Sequence, residues 1–329
     1  MKSTGMAPSH MSKVIEQGLR YLEEEQLPSG EVPNFRLLAN GSWEYCFSPL
    51  PAAYVHDALS CFDPLSIWFD SQALDQVSAG SRPSFVRKVV ALRRRALRFL
   101  AWQQSADLSW RFHGAGSALA PDADLTAVAA TTLVDVRGRD RVTDWSLQTA
   151  RIRAFRCHDG LYGDGGARGD IPSESASALR FVASANVLRY YALTGEASEP
   201  LEHLLENHVL GGAREGCRID FLWALARACR HGQLSLLARV EDNVIRQLMR
   251  RRDSCGGFGG PLSTALAMQA LLDLEYEGPE LRPGYEALLL RLDPVHGRRY
   301  EGYGHDGCGS SAWTTVAIVT ALARLRTIP

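Results

Sequence analysis

The sequence predicts an all-α protein built as an α6/α6 toroid, a double ring of six helical hairpins. Two observations carry this. One unit recurs along the chain: a helix with one charged face, a turn rich in Gly, Asp and aromatics, then a helix rich in Ala, Leu, Val and Thr. The second helix of each unit is apolar nearly all round, and such a helix is buried on every side. Six hairpins with buried second helices close naturally into two concentric rings. An open solenoid of stacked hairpins is the alternative, but it would want a polar outer face on its last unit, and Ala312 to Leu325 is as apolar as the central helices.

The elements follow in order. Outer helices are expected over 11–25, 83–104, 142–155, 196–209, 233–250 and 281–291, with charges on one face, as in Arg93-Arg94-Arg95 and Glu241-Asp242. Inner helices are expected over 52–62, 123–136, 174–193, 219–230, 262–274 and 310–326. The spacing of Leu262, Ala265, Leu266, Gln269 and Leu272 is helical. The turns fall at 27–50, 103–121, 157–172, 210–217, 253–260 and 293–309. Residues 66–82 and 136–142 read as connectors, and 1–10 as a disordered lead-in. No linker divides the chain, so 1–329 is read as one domain.

Bulk numbers exclude several classes. The chain has 329 residues, 46% of them hydrophobic, enough for a large core. Its 36 basic and 37 acidic residues leave a net charge of −1, which argues against nucleic acid as a partner. No run of 18 apolar residues is present, so no transmembrane segment is expected. Seven scattered cysteines, no CxxC pair and a polar Met1 to His10 point to reduced thiols and a cytoplasmic protein.

Asp122-Ala-Asp124-Leu125-Thr126-Ala127 is the stretch with most chemistry in it. Two carboxylates open an apolar helix. In a dry place such a pair can share one proton and act as an acid. The same residues also fit a helix cap followed by an acid in the first turn. The turns supply aromatic faces that can border a carbocation: Trp43, Tyr45, Phe47, Trp110, Phe112, Tyr162, Phe258, Tyr303 and Trp313, with His56 near the start of the first inner helix. His-Asp-Gly occurs twice, at His158 and His305, each before an inner helix. These histidines are candidates for proton return. Asp306, Cys308 and His305 are of metal-ligating type. Arg251-Arg252 and Arg298-Arg299 flank turns and are of a type that holds diphosphate, although a solvated charge pair is the commoner explanation. No D-D-x-x-D segment for a magnesium-diphosphate cluster is present.

These turns and inner helices resemble the repeats of the squalene-hopene cyclase and prenyltransferase α/α-toroid superfamily over roughly 11–327, best in Phe258 to Leu272 and Cys308 to Leu322. Asp122-Ala-Asp124-Leu125-Thr126-Ala127 is similar to the D-x-D-D-T-A motif of class II terpene cyclases, with Leu125 in place of the third carboxylate. The resemblance implies a class II terpene cyclase-like isomerase or lyase for an isoprenoid-like small molecule. Asp124 would be the Brønsted acid and Asp122 its tuning partner, with no cofactor. The well-known cyclases of the family add a second helical barrel, for which this chain has no room. A second implication is a zinc-dependent transferase or cyclase: Asp306-Gly307-Cys308 is similar to part of the prenyltransferase zinc motif, and Cys157-His158 to part of the lanthipeptide cyclase one. A third reading is a non-catalytic binding or scaffold toroid. The open rim of such a toroid is a place where a partner chain can close it.

Overall fold

The computed structural model describes residues 8–38, 40–137, 144–163, 173–211, 217–291 and 308–325. Its helices alternate between two layers. The outer layer holds α1 (Pro8–Glu25), α4 (Arg82–Gln103), α6 (Ser146–Arg153), α8 (Glu199–Leu210), α10 (Leu236–Met249) and α12 (Leu281–Arg291). The inner layer holds α2 (Leu50–Ala58), α5 (Ala123–Arg137), α7 (Ser173–Thr194), α9 (Ile219–Gly232), α11 (Pro261–Asp273) and α13 (Ser311–Arg324). Each inner helix packs on the next, α2 on α5, then α7, α9, α11 and α13, and α13 packs back on α2. The ring therefore closes, and the toroid is the architecture observed. The inner helices are buried almost throughout, because each faces two neighbours, an outer helix and the centre. Among the described residues no helix is long and apolar enough to cross a membrane.

Three local differences from the sequence reading stand out. The first helix begins at Pro8, inside the stretch expected to be disordered. The connector 66–82 contains a short helix, α3 (Ser71–Asp75), capped by Asp70. The first turn is not plain loop: β1 (Phe35–Leu37) pairs antiparallel with β2 (Trp43–Tyr45) and, on its other edge, with β3 (Cys308–Gly309). That small sheet ties the first unit to the last, across the seam where the ring closes.

Four of the turns share one geometry among the described residues. The amide of Leu27 donates to the carbonyl of Glu31, Ser105 to Ser109, Cys157 to Leu161 and Asp253 to Gly257. The fourth residue of each has positive φ: Gly30, Leu108, Gly160 and Gly256. Glycine takes this conformation without penalty, which explains its recurrence in the pattern. At Gly30 the outer helix is also close. A Cβ there would stand 1.9 Å from the carbonyl oxygen of Arg95, at a φ of +95°. Gly30→Ala is therefore expected to cost about 3 kcal/mol or more, from overpacking plus a left-handed alanine. Urea unfolding checks it.

Candidate active site

In every hairpin the outer helix leads through its turn to the inner helix, so all the inner helices start at one rim. Asp122 stands just before α5, and its Oδ1 accepts the amide of Leu125 at 2.8 Å. That is helix capping. It fixes Asp122, buried at 8% exposure, and sends the Leu125 side chain into the core at 0%. A carboxylate at 125 would be buried in apolar packing, which accounts for leucine there.

Asp124 is different. From Asp122 to Asp135 every residue is buried except Asp124. Its Oδ1 accepts the side-chain amide of Asn186 on α7 at 2.6 Å. It also sits in the first turn of α5, where the helix end favours negative charge. The arrangement holds one accessible carboxyl group in a defined orientation at the lip of a buried helix. Asn186 was not foreseen, since a single amide within Ala185-Asn186-Val187 carries no signal until its partner 62 residues away is known.

The structure places the aromatics expected from the turns in several settings. Trp110, Tyr162 and Phe258 are wedged inside the hairpins. Their backbone amides donate to Thr126, Ser184 and Thr264 of the following inner helices. Trp110 is fully buried and its indole donates to Leu100 of α4 at 2.8 Å. The Tyr162 hydroxyl lies 2.8 Å from that of Tyr191. These recurrent aromatics pack each unit together. Trp43 and Tyr45 are half exposed on β2, and the Tyr45 hydroxyl donates to Glu31. Phe47 packs edge-on against Phe99, and Phe112 against His113. Among the described aromatics of that set, Trp313, in the first turn of α13, is the one at the ring centre, where it stacks on Tyr54 and, through it, approaches Trp223.

His56 is 1% exposed, within the core. Burial, with Arg93 beside it, holds its pKa well below the usual imidazole range, so it is neutral in the fold. An unfolded histidine takes up its proton near pH 6.5. Stability is therefore expected to fall by about 1.4 kcal/mol per pH unit from this group as pH drops below about 6. His56→Gln should flatten the pH dependence of urea unfolding by that slope. His158 is exposed in the α6–α7 turn, beside an Asp159 that accepts from Arg180. His305, Asp306, Tyr303 and the side chain of Cys308 lie outside the described residues. Among those described, no group of three or more His, Cys, Asp or Glu is placed to hold a metal ion.

Below the rim lies a layer the sequence did not announce. Each inner helix contributes a charged-type side chain from its C-terminal half to this layer: Asp57, Asp135, Arg189, Arg227, Asp273 and Arg324. Both oxygens of Asp57 accept from Arg189 at 2.8 Å, and Arg227 reaches it at 2.9 Å. Arg93 joins Asp135 to Asp63, and Arg324 meets Asp273 at 2.6 Å. Trp68 covers Arg189, with 4.1 Å from the guanidinium to the ring centre. Burial would raise the Asp57 carboxyl; the two guanidiniums overrule it and hold the pKa at about 2. The ring centre is thus closed by paired charges on the side away from Asp124.

This double ring is the α/α-toroid fold of the type II terpene cyclases. Two structures of variants of the type II terpene cyclase MstE from Scytonema show it. The one in complex with geranylgeranyl dihydroxybenzoate matches with a TM-score of 0.62 at 16% identity. The one in complex with merosterolic acid A matches at 0.63 and 15%. Each covers 96% of this chain and 97% of its own, so a second barrel is not needed for the match. The ent-copalyl diphosphate synthase of Streptomyces platensis matches at 0.55 and 17% identity, over 84% of this chain and 50% of that one. An α-2-macroglobulin of Salmonella also shares the fold, at 0.54 and 14%, over 95% of this chain and 17% of that one. No family model and no curated protein matches the chain. A fold hosts several chemistries, so the function rests on the site.

Proposed function

We propose that this protein is a class II terpene cyclase-like enzyme that starts cyclisation or isomerisation of an isoprenoid-like substrate by protonating it from Asp124. The observation that carries this is the single accessible carboxyl group of α5, held by Asn186. The likeness to cyclases crystallised with an isoprenoid substrate and product supports it.

The chemistry follows from the surroundings. An apolar chain docked at the rim displaces water from Asp124, and desolvation favours its protonated form. Asn186 donates to Oδ1 and so orients the carboxyl group. Transfer to an alkene or epoxide leaves a carbocation on the substrate and a carboxylate on Asp124. Asn186 and the start of α5 then stabilise that carboxylate, which strengthens the acid. Trp313, Tyr54 and Trp223 cluster at the ring centre, and their π-density favours positive charge near it. Return of a proton from the cation to the Asp124 carboxylate completes an isomerisation and restores the acid. Asp122 acts as the cap that sets the start of α5, and through it the place of Asp124. No metal is required for the step.

The test is a screen of geranylgeranyl and farnesyl compounds, with and without an aromatic carboxylate head, for cyclised products by mass spectrometry. Turnover in metal-free buffer supports the reading. Turnover that appears only with added zinc, and is lost in Cys308→Ala, favours the zinc-dependent alternative.

A further inference from the structure

Charge is balanced over the whole chain but not along it. From Gln76 to Ala106 there is no Asp or Glu, while Arg82, Arg87, Lys88, Arg93, Arg94, Arg95 and Arg98 all fall there. All of them lie on α4, a helix of the outer layer. Four are engaged by the protein. Arg82 meets Asp75, Lys88 meets Glu23, Arg95 donates to Gln26, and Arg93 is buried between Asp63 and Asp135. Arg87, Arg94 and Arg98 are exposed, and among the described residues no hydrogen bond or ion pair reaches them. Their spacing of seven and four residues puts all three on one face of the helix. Ala91 and Trp102, each four residues on from one of them, continue that face.

Trp102 is 72% exposed, at the C-terminal end of α4. Leu147 on α6 is equally exposed and stands next to Gln148, which accepts from Gln104 just beyond α4. The face therefore runs from three unpaired guanidiniums to two exposed apolar side chains, along about 22 Å of helix.

We infer that this face of α4 docks on a membrane surface that carries anionic lipid, with the helix lying along the bilayer. Lipid phosphates supply the partners that the protein withholds from Arg87, Arg94 and Arg98. The apolar stems of the arginines lie along the acyl boundary while their heads stay with the phosphates. Tryptophan is of the type that settles between headgroup and hydrocarbon, one end apolar and the other wet. Leu147 adds apolar area beside it. A nucleic-acid duplex offers phosphates too, but no apolar layer for Trp102 and Leu147. The contact is peripheral, since no described helix is long and apolar enough to cross a membrane. It does not depend on the chemistry proposed for Asp124.

Co-sedimentation with vesicles tests the inference. The native protein should bind vesicles of phosphatidylglycerol and phosphatidylcholine in equal parts, bind phosphatidylcholine alone far more weakly, and leave the former as salt is raised. Each arginine near an anionic surface is worth about five-fold in partitioning, so replacing Arg87, Arg94 and Arg98 together by Gln should lose about 100-fold. Trp102→Ala should lose about ten-fold, the apolar share of the contact. Arg246→Gln, at an exposed position of α10, should change little. Every substituted side chain is exposed, so the variants should keep the fold, which circular dichroism checks. A native protein that stays in solution with anionic vesicles overturns the inference, and so does a triple variant that binds as the native protein does. A short DNA duplex that strips the protein from the vesicles at equal phosphate concentration makes nucleic acid the partner and overturns it as well.

Discussion

Asp124→Asn is expected to lower turnover by about three orders of magnitude or more while the protein stays folded, in line with the loss of a positioned general acid. The structure separates the two effects. Asn keeps an oxygen that accepts from Asn186, as Oδ1 of Asp124 does now at 2.6 Å, but it has no acidic proton. The α5 cap is untouched, because it belongs to Asp122. Asn186→Leu should lower kcat by about 10- to 100-fold, since the acid remains but loses its orientation. Asp122→Asn retains the cap and should keep most activity; a loss as large as that of Asp124→Asn would make the two carboxylates a proton-sharing pair. Steady-state kinetics, with circular dichroism and melting on each variant, check these outcomes. An active Asp124→Asn removes the acid role.

Asp57→Ala is expected to cost about 4 kcal/mol, because it leaves the buried guanidiniums of Arg189 and Arg227 without their carboxylate. For a chain of 329 residues that is a fall in Tm of about 6 °C. Adding Arg227→Met should recover part of the loss, since it removes a stranded charge and fills the space. The pH dependence has a definite sign. The Asp57 carboxyl is held at about 2, below its ordinary value. Its contribution is present above about pH 4 and is lost as pH falls towards 2. Urea unfolding of the variant and of the native protein between these limits should converge at the acid end. A loss under about 1 kcal/mol at neutral pH would show that water, not protein, solvates the two guanidiniums.

The double ring was legible because its signal repeats. Six apolar helices next to six one-faced ones leave few arrangements that bury the former, and the observed bounds of α11 (Pro261–Asp273) or α5 (Ala123–Arg137) differ little from the expected ones. The sheet was not legible: three-residue strands carry little pattern, and β1 pairs with β3 across the length of the chain. The aromatics of the turns were visible, but their purpose was not. Trp110, Tyr162 and Phe258 recur because the hairpin needs a wedge there, and recurrence marks what every unit shares rather than what one site does. Asp124 was visible from its motif, whereas Asn186 and the Asp57–Arg189–Arg227 cluster depend on partners far along the chain. One charged residue on an apolar helix looks the same in sequence whether it is paired across a ring or turned to water.

The central claim is that a proton from Asp124 enters the substrate. Incubation of the enzyme with a geranylgeranyl substrate in deuterium oxide, followed by mass spectrometry of the product, tests it most directly. Acid initiation predicts a cyclised product that carries deuterium at the protonated carbon, with no product from Asp124→Asn. A product free of deuterium, or one that Asp124→Asn still forms, would contradict it.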